Sequence, residues 1–302
     1  MRLPITVLLT AAALTFIACM PFVFTHTLHE GERLVRDSAL ALHFVLGLIL
    51  GVLIACAALR AELRGGTASA ILSKPVARPV FFIGKYVGVA FVMMAFSLLM
   101  GCAVLLATRT ASLQFSYDLW GSGPLLVAIL LALAAGGVQN FFLRVPFASR
   151  AFGALLLFVP AAVVVGGFAG SHAGDASESF HLPLEIVPAS ALISLAILLL
   201  TGIATSLATR LDIVPSLAVC SSIFMLGLMS DYLFARRASN FPLFGLADAV
   251  LPNFQHFWAA DALAGDGIPW AYVGKAALYT LAYLTAVISS GIAAFRGMEL
   301  RG

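Results

Sequence analysis

Apolar runs of about 20 residues, the length a helix needs to cross a hydrocarbon core, recur from one end of this chain to the other. Inside such a core every backbone N–H and C=O must find a partner within the protein, which leaves helices or closed barrels. The runs are continuous rather than alternating, so they select helices. Composition agrees: 62% of the 302 residues are hydrophobic and 10% charged, with a mean hydropathy of +1.05, whereas a soluble domain carries about 25% charged residues. The expected fold is an all-α, polytopic membrane helical bundle, one domain over residues 1–302, in a cell membrane. A net charge of +3, with no basic cluster interleaved by aromatics, speaks against a nucleic-acid partner.

Eight spans are expected, near 3–24, 39–59, 80–107, 121–143, 151–170, 187–209, 213–234 and 271–295. The first apolar run continues past Cys19 to Phe24, longer than the roughly 7–15 residues of a cleaved signal core, and reads as a retained helix. Lys and Arg near span ends set orientation. With the N-terminus inside, eleven fall on the cytoplasmic side, among them Arg60, Arg64, Lys74, Arg78, Arg144 and Arg210. Six, including Arg33, Arg36, Arg109 and Lys275, fall outside. An even number of spans then puts both termini in the cytoplasm.

Two connecting segments are long, 60–79 and 235–270. The first, cytoplasmic by this orientation, reads as a bounded elbow. Leu59 to Leu63 continue the second span as helix, and Gly65-Gly66 loosens it, since glycine costs about 1 kcal/mol in a helix interior. Thr67 caps a short helix over Ala68 to Leu72, and Pro75 ends it by pushing its predecessor out of the helical region. Pro79 suits the first turn of the next helix, where no donor is needed. Taken alone, the basic residues here satisfy the positive-inside rule and nothing more.

The residue order adds to that. Glu62, Gly66-Thr67, Ile71-Leu72-Ser73-Lys74-Pro75-Val76, Arg78, Phe81, Gly84-Lys85 and Gly88 together resemble the cytoplasmic loop of ABC-2 type transporter permeases. The match covers roughly 27 residues with several fixed spacings, and the rest of the chain is similar only in outline. The resemblance implies a coupling helix that docks on a separate ATP-hydrolysing subunit, and a permease that works as a dimer with an identical or homologous copy. On it, Glu62, Arg64, Gly66, Thr67, Leu72, Ser73, Lys74, Pro75, Arg78, Gly84 and Lys85 form the partner-coupling set. Glu62 and Arg64 then pair with charges on the ATPase, and Lys85 snorkels to lipid headgroups. Members of the family commonly have six spans, so the eight expected here are that core plus two. ATP and Mg belong to the partner: Gly84-Lys85-Tyr86 and Gly274-Lys275-Ala276 lack the earlier glycine and the Ser/Thr of a phosphate-binding loop. No cofactor, metal or catalytic residue is expected in this chain.

Other motifs are weaker. Gly47 to Gly51 and Gly84 to Gly88 are Gly-x-x-x-Gly pairs that let helix backbones approach; packing inside the chain is the expected use, with one pair at the dimer seam the resemblance implies as the alternative. Cys19, Cys56, Cys102 and Cys220 read as small packing residues. All six histidines, His26, His29, His43, His172, His181 and His256, fall on or near the outer side and are expected as exposed polar residues. Segment 235–270, with Phe254, Phe257, Trp258 and Trp270, suits interfacial or re-entrant helices. Thr201, Thr205, Ser206 and Thr209 are hydroxyls along the sixth span. The shortage of deep ionisable groups points to an apolar or amphiphilic cargo, or to a path lined by backbone and hydroxyls.

Two other functions fit parts of the sequence. A membrane-embedded metalloenzyme would use the outer His and Glu residues. An ion-coupled secondary transporter would call for inverted repeats and mid-membrane ionisable groups, and the sequence shows neither.

Overall fold

A computed structural model describes residues 4–24, 30–64, 77–112, 119–169, 182–233, 250–258 and 267–296. Its helices are α1 (Pro4–Val23), α2 (Gly31–Arg64), α3 (Arg78–Ala111), α4 (Leu119–Leu143), α5 (Phe147–Ala169), α6 (Val187–Leu207), α7 (Ile213–Leu228), α8 (Ser230–Leu233) and α9 (Trp270–Arg296). Single 3₁₀ turns lie at Leu184–Ile186 and Phe254–Phe257. Among the described residues there is no strand, and seven helices are long and apolar enough to cross a membrane. The protein is an all-α, multi-pass helical membrane protein.

Two helices overrun the expected spans. α2 and α3 have 34 residues each, about 51 Å of helix against a hydrocarbon core of about 30 Å. The early start of α2 has a local cause: Arg33 and Asp37, one turn apart, pair at 3.7 Å, and Arg36 donates to Asp37 at 3.1 Å. The expected seventh span is shorter than its apolar run. α7 has 16 residues and gives way at Met229 to the single turn of α8. The interruption comes from packing, since the Pro252 carbonyl and the Phe254 ring press on Gly227.

The chain divides into two compact units, Met1–Leu46 with Ala95–Ser190 and Gly47–Met94 with Ala191–Gly302. In the first, α4 and α5 form an antiparallel pair against which α1 packs. Their connection is three residues, Arg144, Val145 and Pro146. Arg144 adopts the left-handed conformation (φ 52°) that ends many helices, and the Asn140 amide closes the turn by donating to the Val145 carbonyl at 2.7 Å. At the other end of the pair, the fully buried Arg109 of α3 donates to the Gly166 carbonyl of α5. That guanidinium satisfies and neutralises a helix C-terminus. Thr110 and Ser122 tie α3 to α4, the Ser122 N–H donating to the Thr110 hydroxyl at 2.7 Å. Arg109, expected among the outer-side charges near a span end, has a buried side chain, because the end of α5 supplies its acceptor.

In the second unit, α2, α6 and α9 run parallel. Gly47 faces Ile197 and Gly51 faces Thr201, while Gly202 faces Leu284 and the Ser206 hydroxyl donates to the Val287 carbonyl at 3.1 Å. α3 runs against α9, Phe82 meeting Gly291 and Phe295. The Gly47–Gly51 pair therefore packs inside the chain as expected. Gly84 and Gly88 do not: both are exposed, with open space where a side chain would stand. The two motifs are alike in sequence and differ only in which side of their helix has a neighbour.

Candidate functional site

The eleven residues of the expected coupling set surround the join between α2 and α3. Glu62 and Arg64 lie in the last turn of α2, and Arg78 opens α3. Gly84 is exposed and Lys85 half-buried on α3, with the Lys85 ammonium 5.5 Å from the centre of the Phe81 ring. Gly66, Thr67, Leu72, Ser73, Lys74 and Pro75, and with them the expected helix Ala68 to Leu72, lie outside the described residues.

The flanks of the join are well anchored within their unit. Arg60, one turn before the end of α2, forms an ion pair with Asp212 and donates to the Arg210 carbonyl at 3.1 Å. Both partners belong to the corner between α6 and α7. Asp212 stands at the N-cap of α7 yet makes no side-chain cap hydrogen bond, because its carboxylate is turned to Arg60. Near the same corner, Cys56 of α2 and Ser216 of α7 are both buried. On the other flank, Phe81 and Phe82 meet Phe295 near the end of α9, with ring centres 5.8 and 6.2 Å apart. The C-terminal ends of α2, α6 and α9 thus meet the starts of α3 and α7. All four cysteines are free; Cys56 and Cys220 are buried packing residues, as expected.

At the opposite end of the same unit, residues 250–258 lie as a strap along the first half of α9. Three tyrosines on one face of α9, spread over about 16 Å of helix, hold it. Tyr283 donates to the Leu251 carbonyl at 3.2 Å, Tyr279 accepts the Asn253 N–H at 2.8 Å, and Tyr272 donates to the His256 carbonyl at 2.9 Å. Asn253 also caps the 3₁₀ turn through the Gln255 N–H and donates to Asp231 at 2.8 Å. Gln255 donates to the Leu228 carbonyl at 2.6 Å, an acceptor left open by the end of α7. Phe254 and Phe257 are buried beneath the strap. Irregular backbone beside membrane helices is stable only when its polar groups are satisfied in this way. The segment is thus a strap wedged between α7 and α9, at least over its described part; Phe241 and Phe244 lie outside it.

The hydroxyls of α6 and of the turn after it bond to nearby carbonyls. Thr201, Thr205 and Thr209 are buried and donate to carbonyls of α6 at 2.6–2.8 Å. Of the histidines, His256 is exposed as expected. His43 is a correction. It is fully buried on α2, its ring edge-on to Phe96 with centres 6.0 Å apart, and among the described residues neither nitrogen has a hydrogen-bond partner. Sequence position put it near a span end; the extra length of α2 carries it inside. His26, His29, His172 and His181 lie outside the described residues, and among those described no three of His, Cys, Asp and Glu gather as a metal site. In comparisons with protein-family models, curated proteins and solved structures, nothing matches this chain.

Proposed function

We propose that this chain is the membrane-spanning permease subunit of an ATP-driven exporter of the ABC-2 type, coupled through residues 60–79 to a separate cytoplasmic ATPase subunit and working as a dimer. The observation that carries this reading is the residue order from Glu62 to Gly88. The anchoring of both flanks supports it. A transporter must turn closure of an ATPase pair into helix movement, and a displaced hairpin needs stiff connections to do so. Arg60 links one flank to the α6–α7 corner, and the Phe81–Phe82–Phe295 cluster links the other to α9. Cargo enters this reading only as a class, apolar or amphiphilic, because few ionisable residues lie deep in any span.

The test is purification of the tagged chain from its native membrane, with identification of what accompanies it. The expected companion is a subunit with a phosphate-binding loop, and its recovery falls in Glu62→Lys and Gly66→Pro while membrane insertion is unchanged. Recovery of the wild-type chain with no ATPase after mild cross-linking refutes the reading.

A further inference from the structure

The α4–α5 pair touches backbone to backbone at two places and parts between them. Near one end the Trp120 carbonyl lies 3.0 Å from where a Gly166 side chain would begin, and further along Gly136 abuts the Ala151 backbone. Between these pinches lies a groove of about 510 Å³, walled by Trp120, Gly123 and Leu131 on α4 and by Phe158, Ala161 and Val165 on α5. The sequence explains the gap. Gly123 and Ala161 are small, and nothing lies within 4 Å of the position a Gly123 Cβ would take. Pro124 removes a rung of the helix ladder at the same level. The flank is open, with Val165 51% and Leu131 50% exposed.

Dimensions decide what fits. Trp120 to Leu131 is about 16 Å of helix, close to half of a hydrocarbon core of about 30 Å, that is, one leaflet. Spread over that length, the groove is roughly 9 Å across, narrower than a helix of about 10–12 Å with its side chains and wide enough for a hydrocarbon chain. Trp120, 49% exposed at the start of α4, stands where aromatic side chains mark the headgroup level. We propose that this groove is a binding site for one acyl chain of a membrane lipid, held between α4 and α5 in the leaflet on the Trp120 side. The site stands independently of the transport reading.

Trp120 is also the reporter. The chain has three tryptophans, so Trp258→Phe with Trp270→Phe leaves Trp120 as the sole indole. The full-length protein in detergent micelles is titrated with chain-brominated phosphatidylcholine, with no unbrominated phospholipid present to compete for the groove. Site binding predicts quenching of Trp120 that saturates at low brominated fraction. Gly123→Leu, which enters open space and leaves the helix pair in register, raises the half-quenching fraction about tenfold. Ala161→Phe, filling the groove from α5, does the same and guards against a folding defect in either variant. Quenching that rises in proportion to brominated lipid and is indifferent to both substitutions overturns the proposal, since it reports the bulk micelle. So does a wild-type oligomer that both variants dissociate, which assigns the groove to a second copy of the chain.

Discussion

Gly136 and Gly137 are neighbours on α4 with opposite surroundings, and substituting each by alanine separates packing from backbone propensity. A Cβ on Gly136 would lie 2.7 Å from the Ala151 Cβ, 3.0 Å from its Cα and 3.1 Å from its nitrogen, whereas one on Gly137 meets nothing within 4 Å. Ordinary contact begins near 3.4 Å, so α4 and α5 must part by about 0.7 Å for Gly136→Ala, and no side chain can rotate away because the obstacle is backbone. Overpacking of this kind costs about 1–3 kcal/mol. Both variants gain the same helix propensity, up to about 1 kcal/mol, which cancels in the comparison. Gly136→Ala is therefore expected to be less stable than Gly137→Ala by the overpacking term alone. At roughly 2–4 °C per kcal/mol for a chain of this order of size, its apparent melting temperature falls roughly 2–12 °C below that of its neighbour. The assay is near-ultraviolet circular dichroism of purified protein in detergent, heated at one fixed rate because unfolding of such proteins is commonly irreversible. Equal melting temperatures, or a lower one for Gly137→Ala, would show that the α4–α5 contact does not run through Gly136.

Arg144, with φ 52°, sits in a conformation that costs a non-glycine residue about 1–2 kcal/mol. Arg144→Gly is expected to recover part of this and raise the melting temperature, provided the charge has no structural role; a fall refutes the strain. Tyr279→Phe removes the acceptor of the Asn253 N–H, and an unsatisfied donor costs about 1–3 kcal/mol when buried. Limited proteolysis in detergent is expected to cut residues 250–258 faster in that variant than in Tyr232→Phe, whose ring is exposed; equal rates refute the strap.

Most of the helices were legible because crossing a membrane demands long continuous apolar runs, and few other structures use them. The features that escaped depend on distant partners. Nothing within 213–234 marks the break at Met229; its cause, Pro252 and Phe254 against Gly227, lies some 25 residues on. Arg109 and His43 carry the chemistry of surface residues, and one becomes interior because an α5 carbonyl awaits it. The Gly47–Gly51 and Gly84–Gly88 pairs cannot be told apart without knowing which helix stands opposite. The strap was legible in composition, as an aromatic and Pro-marked segment before the last span, but not in geometry. Tyr272, Tyr279 and Tyr283 do fall on one face of a helix by spacing alone, a signal that would have pointed to the surface holding it.

The two ends of the second unit are built on different physical terms, and that difference bears on the proposed mechanism. At the end where α2 and α3 join, the connections are an ion pair, one charge-assisted hydrogen bond and a stack of phenylalanines. Asp212 is 60% exposed there, so the pair is screened and contributes little to stability, on the order of 0–1 kcal/mol. It transmits position without welding the helices together. The strap end has six directed hydrogen bonds over buried phenylalanines, a satisfied polar network of the kind that fixes one arrangement. α9 joins them: Phe295 near one end touches Phe81 and Phe82 at the start of α3, and Tyr272 to Tyr283 toward the other hold the strap. A displacement delivered at Phe81 and Phe82 therefore reaches the strap through one continuous helix. On the proposed reading, ATP-driven motion enters at the weakly bonded end and is resisted at the strongly bonded one, which is the arrangement a lever requires.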